Sequence, residues 1–213
     1  LGAYSDALDK SVYDMVRDYE WTVDQMISLA KLVYVDATAD GKTSDDTFGI
    51  TGRQWNEFPG FLHACDINII EQDESGTYKL SFMNEVNAPK TVALIEKLHE
   101  LSKSDCAWFW AFQSPDAIDF VKETSLLYLS PSISLPNYLD YDIDFGVIPY
   151  PMFDENQKNV GYRSLQWGGY LCIPSYCENI QMIGETIEML AFFSDVTREV
   201  YFEKLLGKQI AES

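Results

Sequence analysis

The sequence predicts an α/β fold with a mixed sheet flanked by helices. Three observations lead there. Helix-period and strand-like segments alternate along the chain. The helical segments carry apolar stripes that need a sheet or a neighbour to cover them. One segment, "INIIEQDESGTYKLSF", reads as a hairpin, which adds an antiparallel pair to the alternating pattern.

The elements follow in order. In "WTVDQMISLAKLVYVDA", Thr22 stands as N-cap with Gln25 three residues on, the spacing of a capping box. Trp21 precedes that cap as a structural staple. Met26, Leu29, Ala30 and Val33 mark the buried face. "DATADGKTSDD" is a polar turn and "TFGITG" a short buried strand. Helix signals resume from Trp55 to Ala64, and the hairpin turns near Asp73 to Gly76. "NAPKTVALIEKLHELSK" is an amphipathic helix with Pro89 in its first turn and a stripe of Val92, Ile95, Leu98 and Leu101. Ser114 and Pro115 open another helix. "SLLYLSPS" and "DFGVIPYPM" read as strands, the second ending at Pro149 and Pro151. Leu171 to Ile173 reads as a buried strand after the Gly168-Gly169 pair. Ile180 to Phe193 is an amphipathic helix with Ile183, Ile187, Leu190 and Ala191 inward. A last helix runs from Val196 to Leu206 and stops at Gly207. The sequence has neither internal repeats nor low-complexity tracts.

Composition bounds the function. The 213 residues suit one large domain or two small ones, with 46% hydrophobic and 23% charged residues. A net charge of −19 argues against nucleic acid and against an anionic membrane surface, both of which are met by Lys and Arg. No run approaches the roughly 20 apolar residues needed to span a bilayer. The chain begins "LGAYSDALDK", without Met and without a basic or apolar leader region, so a processed or excised chain is expected.

The cysteines are Cys65, Cys106, Cys172 and Cys177. They form no CxxC pair, and only His63 and His99 could help them hold zinc, so no metal site is expected. Disulfides and buried free thiols both remain open. Asp36, Thr38, Asp40, Gly41 and Ser44 have the spacing of a calcium loop, but Thr47 stands where a bidentate Glu belongs. A solvated turn is the plainer reading. No G-x-S-x-G, Walker A or G-x-G-x-x-G motif occurs. The many acids leave open a glycosidase-like carboxylate pair, about 5 to 9.5 Å apart.

Sugars present flat C–H faces and rings of hydroxyls, so their sites pair aromatic faces with polar side chains. "YRSLQWGGYLCIPS" supplies Arg163, Gln166, Trp167 and Tyr170 around a glycine pair. Arg53, Gln54 and Trp55 follow the strand ending at Gly52, where α/β sheets meet ligands. Ser130 and Ser132 follow a later strand in the same way. Trp108 and Trp110 fit core packing better.

Four stretches together resemble the extracellular solute-binding proteins of bacterial ABC importers, in the maltose-binding-like, sugar-associated group. They are "YEWTVDQMISLAKLVYVDATADGKTSDDTFGITG", "AIDFVKETSLLYLSPS", "DFGVIPYPMFDENQ" and "GGYLCIPSYCENIQMIGETIEMLAFFSD". The resemblance implies a periplasmic-binding-protein-like α/β lobe over residues 10–165, similar to a C-terminal lobe. Residues 166–213 would be the hinge-crossing strand and helices of a second lobe whose remainder lies outside the chain. It implies capture of a carbohydrate by closure of two lobes, without catalysis or cofactor, and delivery to a membrane permease. It also implies an extracytoplasmic place, as a cell-surface lipoprotein or a periplasmic protein. The segment around Trp167 would lie where the chain crosses between lobes, beside the cleft, so Trp167 should be more exposed than a core Trp. A lobe without its partner exposes apolar surface that self-association would cover. The alternatives are a glycan-acting hydrolase and a protein-interaction domain.

Overall fold

A computed structural model describes residues 10–53, 58–110, 124–129, 141, 143, 145–165 and 171–199. Helix α1 (Val12–Arg17) starts at Ser11, whose hydroxyl accepts the Asp14 amide at 3.2 Å. Helix α2 (Val23–Val33) is capped by Thr22, which accepts the Gln25 amide at 3.4 Å. It buries Val23, Met26, Leu29, Ala30 and Val33, the face its periodicity predicts. Trp21 is buried before the cap, and its indole N–H donates to the Pro149 carbonyl at 3.1 Å. The staple is thus a packing residue with its one polar group satisfied.

Strands β1 (Phe48–Arg53), β4 (Ala107–Trp110) and β5 (Ser125–Leu129) form a parallel sheet in the order β4-β1-β5. Between β1 and β4 run α3 (Phe58–Ala64), the hairpin β2 (Ile70–Gln72) and β3 (Tyr78–Leu80), and α4 (Ala88–Lys103). Helix α2 and β1 approach unusually closely. A Cβ built on Gly49 would stand 1.9 Å from the Ala30 carbonyl oxygen, so only glycine fits there. The class is therefore α/β, a three-stranded parallel sheet flanked by helices. The strand directions expected in one mixed sheet fall, among the described residues, into two: this parallel sheet and the separate antiparallel hairpin.

Three expectations change. On α4 the buried residues are Thr91, Leu94 and Leu101, with Leu98 packed against the core. Val92 and Ile95 are instead 43% and 41% exposed. The stripe is rotated because Thr91 is buried: its hydroxyl donates to the Phe82 carbonyl at 2.6 Å, which removes the cost of placing it inside. The strand expected over "DFGVIPYPM" makes no ladder. Pro149 and Pro151 have no N–H to give. The described part of this run makes a single bridge, at Met152, whose N–H donates to the Trp21 carbonyl at 3.1 Å and whose carbonyl accepts the Val23 amide at 2.9 Å. The strand expected at Leu171 to Ile173 is also absent, and these two residues are 72% and 42% exposed.

Two compact units emerge from the contacts. The first comprises Leu1–Ser130 and Val147–Leu165, and the second Pro131–Gly146 and Gln166–Ser213. The described part of the second unit holds α5 (Ile180–Phe192), capped by Asn179, whose side chain accepts the Met182 amide at 3.2 Å. No residue of α5 is buried. Of its expected inward stripe, Ile183 and Ile187 are half-buried and Leu190 and Ala191 exposed. Apolar residues stand all round this helix, at Ile180, Met182, Met189, Leu190 and Phe192, so its sequence defines no single face. Residues 194–199 are helical. The rest of the expected Val196–Leu206 helix, and the helix expected from Ser114, lie outside the described residues.

Candidate functional site

The sheet order positions the first candidate site. From β1 the chain moves to β4 on one side, then crosses β1 to place β5 on the other. All three strands are parallel, so their carboxyl ends share one edge. β1 is the central strand, with β4 and β5 on either side, and parallel α/β sheets take ligands beyond the carboxyl ends of strands where the strand order reverses. Arg53 ends β1 and is in register with Trp110, the last residue of β4. Gly52 is in register with Leu129, the last residue of β5. A Cβ on Gly52 would stand 3.0 Å from Leu129 Cβ, so β1 and β5 are tightly apposed at this edge. Deeper in the sheet, Thr51 Oγ1 and Ser125 Oγ lie 2.8 Å apart in a buried hydroxyl pair that ties the two strands.

Of the sequence-predicted ligand residues, Arg53 therefore sits at this edge by its backbone. Gln54 and Trp55, which follow it, lie outside the described residues. So do Ser130 and Ser132, which follow β5, and Gln166, Trp167 and Tyr170. Trp108 is half-buried and stacks on the buried Phe48 at 5.3 Å between centroids, packing at the core's margin rather than within it.

Arg163 is in a second place. Its guanidinium forms an ion pair with Asp66 and a longer bond to Asn68 Oδ1 at 3.4 Å. Asp66 directly follows the last turn of α3 and has a φ of 57°, a left-handed conformation that Asp tolerates better than most residues. His63, on the same turn, has its pKa lowered, first by burial and then by the Arg163 charge. Asp66 also lines a cleft of about 360 Å³ with Lys90, Phe153, Asp154 and Asn156. The ammonium groups of Lys90 and Lys97 stand 5.3 and 5.9 Å from the Phe153 ring centre, a cation–π arrangement. Lys97 also pairs with Asp24.

Gln157 organises this cleft and is absent from the sequence-based candidates. It is buried, donates to the Ala64 carbonyl at 2.6 Å and accepts the Phe153 amide at 3.1 Å. It joins the end of α3 to the 3₁₀ turn Glu155–Asn159. Its signal was legible: Asp154 caps the turn through the Asn156 amide at 2.9 Å, and Gln157 stands three residues on, as in a capping box.

The turn with calcium-loop spacing uses its carboxylates internally. Asp36 accepts the Ala39 amide at 2.6 Å and the Gly41 amide at 3.3 Å. Asp46 is buried, accepting the amides of Ala37 at 3.1 Å and Thr43 at 2.9 Å and the Tyr34 hydroxyl at 3.3 Å. Its pKa is held below the usual carboxylate range, chiefly by the Thr43 amide, against the burial that pushes it up. Among the described residues no group of three acidic, His or Cys side chains could hold a metal ion. All four cysteines are free, with Cys65 and Cys106 buried.

Compared with known proteins, the chain matches no family model, and no curated protein or solved structure is significantly similar to it.

Proposed function

We propose that the chain is the solute-capturing part of an ABC importer, binding a carbohydrate without turning it over. The observation that carries this reading is the reversal of strand order at β1. Parallel α/β sheets take ligands at strand carboxyl ends where the order reverses, and in sequence those of β1 and β5 lead into Arg53, Gln54 and Trp55 and into Ser130 and Ser132. Two further facts support it. The first unit is a three-stranded parallel sheet flanked by helices, which is compatible with a periplasmic-binding-protein-like lobe. The chain also changes compact unit after Ser130, Gly146 and Leu165, as a chain threading two lobes through a hinge would. Capture then proceeds by hinge closure, because the closed form gains contacts from both sides of the ligand. A membrane permease is the partner that receives it, and the protein acts outside the cytoplasm. Among the described residues no helix is long and apolar enough to cross a membrane itself.

Titration calorimetry of the full-length protein against a panel of oligosaccharides tests the reading. Heat and a raised Tm with at least one sugar are expected, both reduced in Trp55→Ala and Trp167→Ala. Silence across the panel removes the carbohydrate, and release of shortened glycans replaces binding with hydrolysis.

A further inference from the structure

The four cysteines divide by unit and by exposure. Cys65 and Cys106 belong to the core of the first unit. Burial pushes the Cys65 thiol up to about 12, which leaves it inert. Cys172 and Cys177 belong to the second unit, one exposed and the other half-buried. Between them the chain folds back in a turn closed by the Cys177 amide donating to the Pro174 carbonyl at 3.1 Å. Such a turn holds the Cα atoms of Pro174 and Cys177 within about 7 Å, and Cys172 lies two residues before it. A disulfide needs its Cα atoms about 4.4 to 6.8 Å apart. Residues 171–174 form no regular element, and among the described residues no hydrogen bond holds Cys172 or Ile173. Closing the pair needs backbone rotation over the two residues before the turn, a stretch that belongs to no helix or strand.

We propose that Cys172 and Cys177 are a disulfide-forming pair, closed by exchange with a small-molecule disulfide, that clamps the chain where it enters α5. The exposed Cys172 thiolate attacks one sulfur of the small disulfide and releases one thiolate, leaving a mixed disulfide on Cys172. The Cys177 thiolate then attacks the Cys172 sulfur and releases the second. The two electrons lost by the protein sulfurs reduce the small disulfide to two thiols, which take up the two protons. The bridge would end at Cys177, two residues before the Asn179 cap, so it restrains the approach to the first turn of α5. This inference does not depend on the ligand assigned above.

The test treats the natively folded full chain with oxidised glutathione and follows intact mass, peptide mapping and accessible thiols. The accessible-thiol count is expected to fall from two to none, with no glutathione retained, in a peptide holding both residues. Dithiothreitol restores both. Cys177→Ser is expected to stop at one glutathionyl group on Cys172. Hydrogen exchange at Met182 and Ile183 is expected to slow in the oxidised form. Glutathione retained on both cysteines, disulfide-linked dimers, or no reaction at all overturns the pairing. Unchanged exchange in an oxidised, correctly bridged chain overturns the clamp.

Discussion

Gly49→Ala is the sharpest test of how the first unit is packed. The added Cβ would stand 1.9 Å from the Ala30 oxygen and 2.4 Å from its carbonyl carbon and Cα. All three are backbone atoms, so no rotamer change relieves the clash. Ordinary contact begins at 3.4 Å, so α2 and β1 must separate by 3.4 − 1.9 = 1.5 Å. A gap of 0.5 to 1 Å already forfeits about a quarter to a half of a dispersion well. The separation would be felt by the five residues that α2 buries. Overpacking typically costs about 1–3 kcal/mol, and this site belongs at or above the top of that range. For a protein of this size a loss of about 3 kcal/mol lowers Tm by roughly 6 to 12 °C. Two controls separate sterics from backbone conformation. Gly41 has a φ of 88° and nothing within 4 Å of a built Cβ, so Gly41→Ala should cost only about 1–2 kcal/mol of left-handed strain. Gly184 lies within α5 with open space, so Gly184→Ala should raise helix stability by about 0.5–1 kcal/mol. Thermal and urea unfolding followed by circular dichroism read all three. A Gly49→Ala protein as stable as Gly41→Ala would refute the close approach of α2 and β1.

Three further outcomes are expected. The lowered pKa of Asp46 means that its stabilisation is fully present above about pH 4 and disappears as pH falls through its folded value. Asp46→Asn should lower stability at neutral pH and flatten that acid limb in urea titrations. Cys65 works in the opposite direction. With its folded pKa at about 12 and an unfolded thiol near 8.5, the unfolded chain ionises first, so stability should fall from about pH 8.5 to 12. Cys65→Ala should shrink that alkaline slope, and native Cys65 should resist iodoacetamide until the protein unfolds. Thr91→Val keeps the shape of the side chain but leaves the Phe82 carbonyl without its donor. A loss of about 1–3 kcal/mol is expected by denaturant midpoint, and a neutral result would mean that water replaces the hydroxyl.

What the sequence made legible were features with local causes. Thr22 and Gln25 announce the start of α2, and the hairpin turn is written in Asp73 to Gly76. On α4 the expected Leu98 and Leu101 face the core, but Val92 and Ile95 were named in place of Thr91 and Leu94, because hydropathy ranks Thr91 with polar residues and its bond to Phe82 is what lets it sit inside. The extended run before Met152 looked like a strand because its apolar residues suit one, yet ladder pairing depends on amides that two prolines lack. Gln157 and Asp66 were missed because their roles are tertiary: each joins segments about 90 residues or more apart, to Ala64 and to Arg163. At the sheet edge, sequence named Arg53 and its successors from a general rule about strand ends. The strand order that puts β1 at the centre of this edge comes from pairings across the chain, which no local window contains.

Arg163 was expected to touch ligand, and its surroundings suggest a different contribution to the same reading. Its guanidinium is already engaged with Asp66 and Asn68. The residue before it is tied as well: the Tyr162 hydroxyl accepts the Trp21 amide at 3.3 Å, and its ring stacks on Tyr19 at 5.6 Å. Trp21 is in turn buried and bonded to Pro149. The chain is thus anchored to the first unit at Tyr162 and Arg163, only two residues before it passes, after Leu165, into the second. A hinge strand works if one end is fixed, so that motion is taken up beyond the anchor rather than spread through the lobe. On that logic Arg163→Ala should loosen the anchor. In a sugar titration it should lower the Tm of the free protein and weaken binding together. Trp167→Ala should weaken binding while leaving the free protein's Tm unchanged. Equal Tm losses in both variants would place Trp167 in the core, and loss of binding alone in Arg163→Ala would return Arg163 to direct contact with ligand.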